Sequence, residues 1–166
     1  MKKVGIISDT HAEIADGVMD FLEDVDEIWH AGDVGSFEIL DRLRKIGTVR
    51  AVYGNIDNHR IRSAIPEKQL FRCEGVLVVM IHIGGYPGRY SAEAKSLIEK
   101  FHPKLFISGH SHILKVMYDK KYDLLHINPG AAGKRGFHKH ITAIRMKIHQ
   151  GRMSDLEVLE IERNNK

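Results

Sequence analysis

The sequence predicts a single α/β domain over residues 1–166, in which two mixed β-sheets share a core. In the first half of the chain, short apolar runs alternate with amphipathic stretches, a pattern typical of parallel strands connected by helices. In the second half, apolar runs occur in pairs separated by short polar turns, which indicates hairpins. With 166 residues, the chain has the length of one well-buried domain.

The first half predicts the order strand, helix, strand, helix, strand. Lys3–Ser8, Glu27–Gly32 and Thr48–Tyr53 are short apolar runs, as expected for buried parallel strands. Ile14–Val25 has apolar residues at helical spacing. Ser36 is a typical N-cap for the second helix, which extends through Leu43.

The second half predicts three hairpins, one further helix and one further strand. A helix is expected from Ser91 to about Phe101, followed by a buried strand at Lys104–Ser108. A glycine-rich loop, Gly84–Gly88, precedes that helix. The predicted hairpin strands are Gln69–Cys73 with Val76–His82, Lys115–Tyr118 with Leu124–Ile127, and Ile141–Ile148 with Leu156–Ile161.

Composition excludes several functional classes. A net charge of +3, from 25 basic and 22 acidic residues, is too small to predict strong nucleic-acid binding. No apolar run has the length of a membrane span, and the run that follows Met1–Lys3 is too short for a signal-peptide core. Because Cys73 is the single cysteine, no internal disulfide can form, and we expect a reducing, cytoplasmic location.

Residues that ligate metals follow five of the predicted strands, at the point where each strand ends. In open α/β sheets these carboxyl ends lie at the edge where ligands bind. Eleven histidines are present, and imidazole is the commonest metal ligand among side chains. The candidate ligands are Asp9, His11, Asp33, Asn55, His82, His110 and His112.

Each of these residues has an ordinary structural explanation when it is considered alone. Asp9 can cap a helix, Asn55 can be a turn residue, and His82 can be an interior histidine. The segment Gly109–His112 is the strongest local signal, because two imidazoles flank a small residue directly after a strand. The joint pattern favours a site for two divalent cations.

The ordered pattern Asp-x-His, Gly-Asp, Gly-Asn, His and Gly-His-x-His resembles the calcineurin-like metallophosphoesterase superfamily. Within it, the chain is most similar to the small, uncapped phosphodiesterases of bacteria and archaea. The segment Asn128–Gly130 also resembles a loop that is common in this group. The resemblance covers nearly the whole chain and implies a four-layer α/β/β/α fold, in which the two sheets form a sandwich flanked by helices.

The resemblance also implies how the ligands are divided. One metal would be held by Asp9, His11, Asp33 and His112, and Asp33 would bridge to a second metal held by Asn55, His82 and His110. Four imidazoles are poor ligands for Mg²⁺ or Ca²⁺, which favours two transition-metal ions. We expect Mn²⁺ first, while Fe²⁺, Co²⁺, Ni²⁺ and Zn²⁺ stay open.

The charges of such a centre predict hydrolysis of phosphate esters. Two divalent cations, the carboxylates of Asp9 and Asp33 and a bridging hydroxide together leave a charge of about +1, which attracts a small phosphate ester. We expect in-line attack of that hydroxide on phosphorus. Asn55 would hold its metal without adding negative charge and can contact the phosphate.

The residue after Gly54-Asn55 favours diesters over monoesters. Many phosphomonoesterases of the superfamily have a histidine there that assists the leaving group, whereas this chain has Ile56. His59 is the nearest substitute in sequence. The loops Asn58–Pro66, Gly84–Tyr90 and Ala131–Lys139 are expected to border the substrate, and their Arg89 and Arg135 are candidate phosphate contacts.

Two alternatives stay open at this point. The chain can be a non-catalytic protein-binding scaffold, like the subunit of the retromer complex that resembles this fold, or it can be a phosphomonoesterase. The edge of the last hairpin leaves pairing between subunits, and therefore a homo-oligomer, open as well.

Overall fold

The computed structural model describes residues 1–163, in which two five-stranded β-sheets pack against each other. In the first sheet the strand order is β12 (Arg152–Glu162), β11 (His140–His149), β1 (Lys2–Ile7), β2 (Glu27–His30) and β3 (Thr48–Ala51). In the second sheet the order is β4 (Lys68–Cys73), β5 (Val76–Ile81), β8 (Leu105–Ile107), β10 (Leu124–Pro129) and β9 (Leu114–Asp119). Helices cover the outer face of each sheet. The predicted sandwich of two mixed sheets flanked by helices is therefore confirmed.

The first sheet combines a parallel half and an antiparallel half. Strands β1, β2 and β3 are parallel neighbours, while β11 pairs antiparallel with both β1 and β12. Three helices, α1, α2 and α3, connect or follow the parallel strands. The elements are β1 Lys2–Ile7, α1 Asp16–Phe21, β2 Glu27–His30, α2 Phe37–Arg44, β3 Thr48–Ala51, α3 His59–Ala64, β11 His140–His149 and β12 Arg152–Glu162.

The second sheet has three parallel strands at its centre and antiparallel strands at both edges. Strand β8 lies between β5 and β10 and is parallel to both, while β4 and β9 are the edges. A small two-stranded sheet, β6 with β7, precedes helix α4. The elements are β4 Lys68–Cys73, β5 Val76–Ile81, β6 Gly85–Tyr86, β7 Arg89–Tyr90, α4 Ala92–Phe101, β8 Leu105–Ile107, β9 Leu114–Asp119 and β10 Leu124–Pro129.

Three apolar clusters hold the layers together. The central cluster lies between the two sheets and includes Ile6 and Trp29 from the first sheet and Met80 and Ile107 from the second. A second cluster fills the space under α1, α2 and α3, and a third lies under α4. Strand residues alternate between these clusters, because successive side chains of a strand point to opposite faces.

Several elements differ from the sequence-based expectation. Helix α1 is shorter than the predicted Ile14–Val25, because Ile14 forms an isolated bridge with Gly133 and the helix ends at Phe21. The predicted loop Asn58–Pro66 contains the short helix α3, whose N-cap Asn58 accepts a hydrogen bond from Ile61 N. Strand β12 begins four residues before Leu156, because β11 supplies partners along its length.

The topology places five strand ends at one edge of the molecule. Strands β1, β2 and β3 end there in the first sheet, and β5 and β8 end there in the second. Among residues 1–163, no helix is long and apolar enough to cross a membrane.

Candidate metal centre

The strand ends bring the seven predicted ligands together. Asp9 and His11 follow β1, Asp33 follows β2, and Asn55 follows β3. From the second sheet, His82 follows β5, whereas His110 and His112 follow β8. Six of these residues form two groups, each with ligand atoms within 4.8 Å of one another, and Asn55 contacts the second group.

The first group consists of Asp9, His11 and His112. Asp9 Oδ1 lies 3.2 Å from His112 Nε2 and 3.7 Å from His11 Nε2. Both Asp9 Oδ1 and His11 Nε2 are buried without a hydrogen-bond partner among residues 1–163. Buried polar atoms without partners are costly, so these two atoms indicate a ligand between them.

The second group consists of Asp33, His82 and His110, with Asn55 between the two rings. Asn55 Oδ1 is 3.0 Å from His82 Nε2 and 3.0 Å from His110 Nδ1. Asp33 Oδ2 is 3.2 Å from His82 Nε2 and 3.4 Å from His11 Nε2. This single oxygen therefore lies between the two groups.

Five of the candidate ligands have a left-handed backbone. The φ angles are 55° at Asp9, 46° at His11, 56° at Asp33, 74° at His110 and 62° at His112. Each such residue costs on the order of 1–3 kcal/mol, and this strain concentrates at functional sites. Here it turns the chain sharply at the end of each strand and directs the side chains towards one another.

Hydrogen bonds leave one oxygen of each carboxylate available. Asp9 Oδ2 accepts from Ser8 Oγ at 2.6 Å and from the His110 amide at 3.0 Å. Asp33 Oδ1 accepts from the Ile56 amide at 3.0 Å. The opposite oxygens, Asp9 Oδ1 and Asp33 Oδ2, face the imidazole nitrogens.

A backbone carbonyl fixes the proton of His82. Its Nδ1 lies 2.7 Å from Ala31 O, and because a carbonyl only accepts, Nδ1 must donate. Nε2, which faces Asp33 and Asn55, then has a free lone pair in the neutral ring. This arrangement is typical of a metal-binding histidine.

His138 fixes the proton of His112 on Nδ1, as the Ala31 carbonyl does for His82. The sequence analysis did not identify His138. His138 Nε2 donates to Gly133 O at 2.8 Å, so its Nδ1 accepts from His112 Nδ1 at 3.2 Å. His112 Nε2 is thereby left free towards Asp9. Burial lowers the pKa of His138, which keeps its ring neutral for this task.

Asp57 is a second residue whose structural task was not predicted. Its buried carboxylate accepts from the amides of Val34 at 3.1 Å, Gly35 at 2.8 Å and Gly54 at 2.8 Å. It therefore ties the loop of Asp33 to the loop of Asn55. Its position two residues after Asn55 was the only sequence signal.

His30 contacts the neighbouring backbone and Thr10. Its Nδ1 accepts from the Gly32 amide at 3.1 Å, and its Nε2 is 2.9 Å from Thr10 Oγ1. Burial lowers the pKa of His30 to about 4. The neutral ring thus supports the turns that hold Asp9 and Asp33.

Two glycines are required for close approach at this edge. Gly32 has a φ of 104°, and a Cβ there would lie 2.6 Å from His82 Nδ1. A Cβ on Gly54 would overlap Asp33 Oδ1. The glycines of Gly-Asp and Gly-Asn therefore make room for the His82 and Asp33 side chains of the neighbouring loops.

The electrostatics of the centre favour positive charge. Burial alone raises the pKa of Asp9, but contacts with the His11 and His112 rings outweigh burial and hold it well below its usual range. The contact with Asp9 raises the pKa of His11. For His82, burial lowers the pKa, yet Asp33 and Asp9 outweigh it and raise the value. When no cation is bound, the buried carboxylates of Asp9 and Asp33 therefore favour the protonated rings of His11 and His82.

The donor set fits divalent transition metals. It combines imidazole nitrogens, carboxylate oxygens and one amide oxygen, and the metal-binding groups found among residues 1–163 contain no thiolate. Such mixed nitrogen and oxygen sets suit Mn²⁺, Fe²⁺, Co²⁺, Ni²⁺ and Zn²⁺. The unpartnered atoms of Asp9 and His11 fit the same ions.

Three other predicted residues are not brought into this cluster. His59 is exposed at the start of α3 and does not line the cavity over the metal centre. Arg89 lines a different cavity together with Tyr118. Arg135 Nη2 donates to Glu13 Oε1 at 3.0 Å.

Comparison with known proteins identifies the family. The family model described as the calcineurin-like phosphoesterase superfamily domain matches residues 1–151. The chain belongs to this superfamily. It is 35% identical over 133 residues to a probable metallophosphoesterase of Methanothermobacter thermautotrophicus, covering 77% of this chain and 76% of the relative.

Solved structures show the same calcineurin-like fold. Vps29 from Entamoeba histolytica, complexed with zinc, is similar with a TM-score of 0.74 at 18% identity, covering 98% of this chain and 99% of that one. A structure described as a novel archaeal phosphodiesterase is similar with a TM-score of 0.72 at 21% identity, covering 95% and 99%. The resemblance stated from the sequence motifs is confirmed.

Proposed function

We propose that this calcineurin-like protein is a phosphodiesterase that uses two divalent transition-metal ions, with Mn²⁺ as the first candidate. The observation that supports this most directly is the position of Asp33 Oδ2. It lies 3.4 Å from His11 Nε2 in one group and 3.2 Å from His82 Nε2 in the other. An oxygen shared by two sets of imidazoles suits a ligand that bridges two metals.

The ligands divide between the two ions as the family resemblance implied. Asp9, His11, Asp33 and His112 would hold the first ion, and Asp33, Asn55, His82 and His110 would hold the second. When bound, the ions would supply an activated water at neutral pH and positive charge for the phosphoryl oxygens. Ser8, His138 and the Ala31 carbonyl orient the ligands by the hydrogen bonds described above.

The surroundings of the centre favour diesters. A cavity of about 470 Å³ opens over the two groups, and Ile56 forms part of its wall. Ile56 cannot donate a proton, and His59 does not line this cavity. The histidine that assists the leaving group in many phosphomonoesterases of the superfamily therefore has no counterpart at this position, which supports a diester substrate. Arg89 and Arg135 have no place in this proposal, because they contact other parts of the surface.

Hydrolysis of bis-p-nitrophenyl phosphate and of p-nitrophenyl phosphate, each with added Mn²⁺, tests the proposal. We expect the diester to be hydrolysed faster, and we expect Asp33→Asn to lose nearly all activity and one or both metal ions. His149→Ala, a histidine exposed far along β11, is the control and should keep both. Faster hydrolysis of the monoester would instead favour a phosphomonoesterase.

A protein-binding scaffold is the second candidate. Three large apolar side chains, those of Ile56, Ile113 and Phe137, are exposed around the metal cavity, as expected for a surface that meets another protein. The similarity to Vps29 shows that the fold is shared with that protein. Absence of hydrolysis with Mn²⁺, Fe²⁺, Co²⁺, Ni²⁺ and Zn²⁺ would favour the scaffold.

A cytoplasmic location is also proposed. It rests on the buried thiol of Cys73, which has no disulfide partner in the chain and fits a reducing compartment.

A further inference from the structure

A second cavity adjoins the metal centre, and we call it the side cavity. It has a volume of about 340 Å³ and lies over the carboxyl ends of β5, β8 and β10. Ile83 and Tyr86 line it from one side, and Ile113 and Lys115 from the other. His126 and Asn128 of β10 line it from the sheet. Its volume is at the lower end of the range for small-molecule sites.

The walls of the side cavity are apolar and open to solvent. Ile83 is 46% exposed, Tyr86 41% and Ile113 64%. Large apolar side chains gain by leaving water, so three of them around one cavity indicate a surface that becomes covered.

The side cavity continues into the metal centre. His110, a candidate ligand of the second metal, lines both the side cavity and the cavity over the centre. Ser111 and Ile113 line both as well. A group attached to a phosphate at the centre can therefore extend into the side cavity.

A neutral, buried histidine forms the sheet side of the cavity. His126 is completely buried, and its Nδ1 donates to Phe106 O at 3.3 Å. Its Nε2 is therefore an acceptor, and it has no hydrogen-bond partner among residues 1–163. Burial lowers the pKa of His126 to about 4, so the ring is neutral. A positive charge is also present, because Lys115 Nζ lies 4.1 Å from the centre of the Tyr86 ring.

Hydrogen bonds hold the walls in place. Asn128 Nδ2 donates to Gly109 O at 3.1 Å and to Ser111 Oγ at 3.0 Å. Ser108 Oγ donates to Gly85 O at 3.2 Å. The loops on both sides of the cavity are thus fixed to the sheet before any ligand binds, as is usual for ligand sites.

We propose that the side cavity binds the base of a nucleotide whose phosphate lies at the metal centre. A flat heteroaromatic ring suits the apolar walls, and its polar edge can pair with the Lys115 ammonium. An alkyl chain would cover the same walls but would offer no polar atom to the Lys115 ammonium. The inference rests on the proposed function, because the phosphate is placed at the metals.

Binding of adenosine 5′-monophosphate and of ribose 5-phosphate to the Mn²⁺-loaded protein, measured by calorimetry, tests this inference. Both ligands have the same phosphate and sugar, so their difference reports the base. We expect the nucleotide to bind at least about 5-fold more tightly, as expected for one stacked base. This difference should collapse in Tyr86→Ala and in Ile113→Ala. Tyr118→Ala, which removes an exposed tyrosine lining another cavity, should keep it.

Each outcome either supports or overturns binding of a nucleotide base in the side cavity. Equal binding of the two ligands, or no measurable binding of the nucleotide, would overturn the inference, and so would an undiminished difference in both cavity variants. If hexyl phosphate bound as tightly as the nucleotide, the cavity would be a general apolar site and not a base site. A preserved nucleotide preference together with no hydrolysis of any diester would overturn the proposed function and support the side cavity.

Discussion

Replacement of His138 by leucine should weaken the first metal site selectively. In the protein, His138 accepts a hydrogen bond from His112 Nδ1 and donates one to Gly133 O. Leucine has a similar volume but makes neither bond. The His112 ring then loses the partner that keeps its proton on Nδ1, so Nε2 is no longer reserved for the metal.

The size of the effect follows from the two hydrogen bonds. Each contributes about 0.5–1.5 kcal/mol, so their loss amounts to about 1–3 kcal/mol. At 1.4 kcal/mol per factor of ten, the affinity of the first site should fall by about 5- to 140-fold. Loss of a residue that orients a metal ligand typically has an effect of this size.

Calorimetric titration with Mn²⁺ measures both sites, and nitrogen NMR of the histidine rings reports which nitrogen of His112 holds the proton. His138→Asn places an acceptor near the position of Nδ1 and should restore most of the affinity. His140→Leu, two residues away and exposed, is the matched control. Equal weakening of both sites, or equal affinity in the leucine and asparagine variants, would refute this reasoning.

Three further predictions concern stability. Gly32→Ala should destabilise the protein by more than the roughly 1–3 kcal/mol of left-handed strain, and it should also weaken the second metal site, because its Cβ meets the His82 ring. Gly88→Ala is the control in urea unfolding, because Gly88 has a φ of 88° and nothing within 4 Å of an added Cβ, so this variant measures the strain alone. The pKa of His126 is about 4 in the folded protein and 6.5 in the unfolded chain, so the unfolded chain takes up the proton first as the pH falls. This group therefore does not reduce the free energy of unfolding above pH 6.5, and it lowers that free energy progressively as the pH falls from 6.5 towards 4. Urea unfolding in EDTA should therefore show wild type losing about 2 kcal/mol more than His126→Phe between pH 7 and pH 5, and equal losses would contradict this. Mn²⁺ at a hundred times its Kd should add about 2.7 kcal/mol per site to the free energy of unfolding, and Asp33→Asn should reduce that gain, as thermal unfolding can check.

The sequence predicted that these candidate ligands would gather at one edge, because each of them follows a local pattern. Asp9, Asp33 and His82 directly follow short apolar runs, and the ends of parallel strands must meet at one edge of a sheet. The calcineurin-like motifs then assigned these residues to one site. Helix α3 was missed because a six-residue helix with one buried side chain, that of Ile61, has no apolar periodicity to detect.

Contacts between distant loops could not be predicted in the same way. His138 meets His112 across 26 residues of sequence, and its loop has neither helical nor strand periodicity. Arg135 was predicted near the substrate, but it is paired with Glu13, 122 residues away. Such pairings depend on the conformations of loops that are distant in sequence, and the periodicity of a single sequence does not determine those conformations.

The division of the two ligand groups between the sheets has a mechanical consequence. Asp9 comes from the first sheet and His112 from the second, and the same is true of Asp33 and His82. Each ion would therefore cross-link the two sheets of the sandwich at this edge, in addition to its proposed role in hydrolysis. Chelation should then increase amide hydrogen exchange at the ends of β2 and β5 together, because the clamp that joins them is removed.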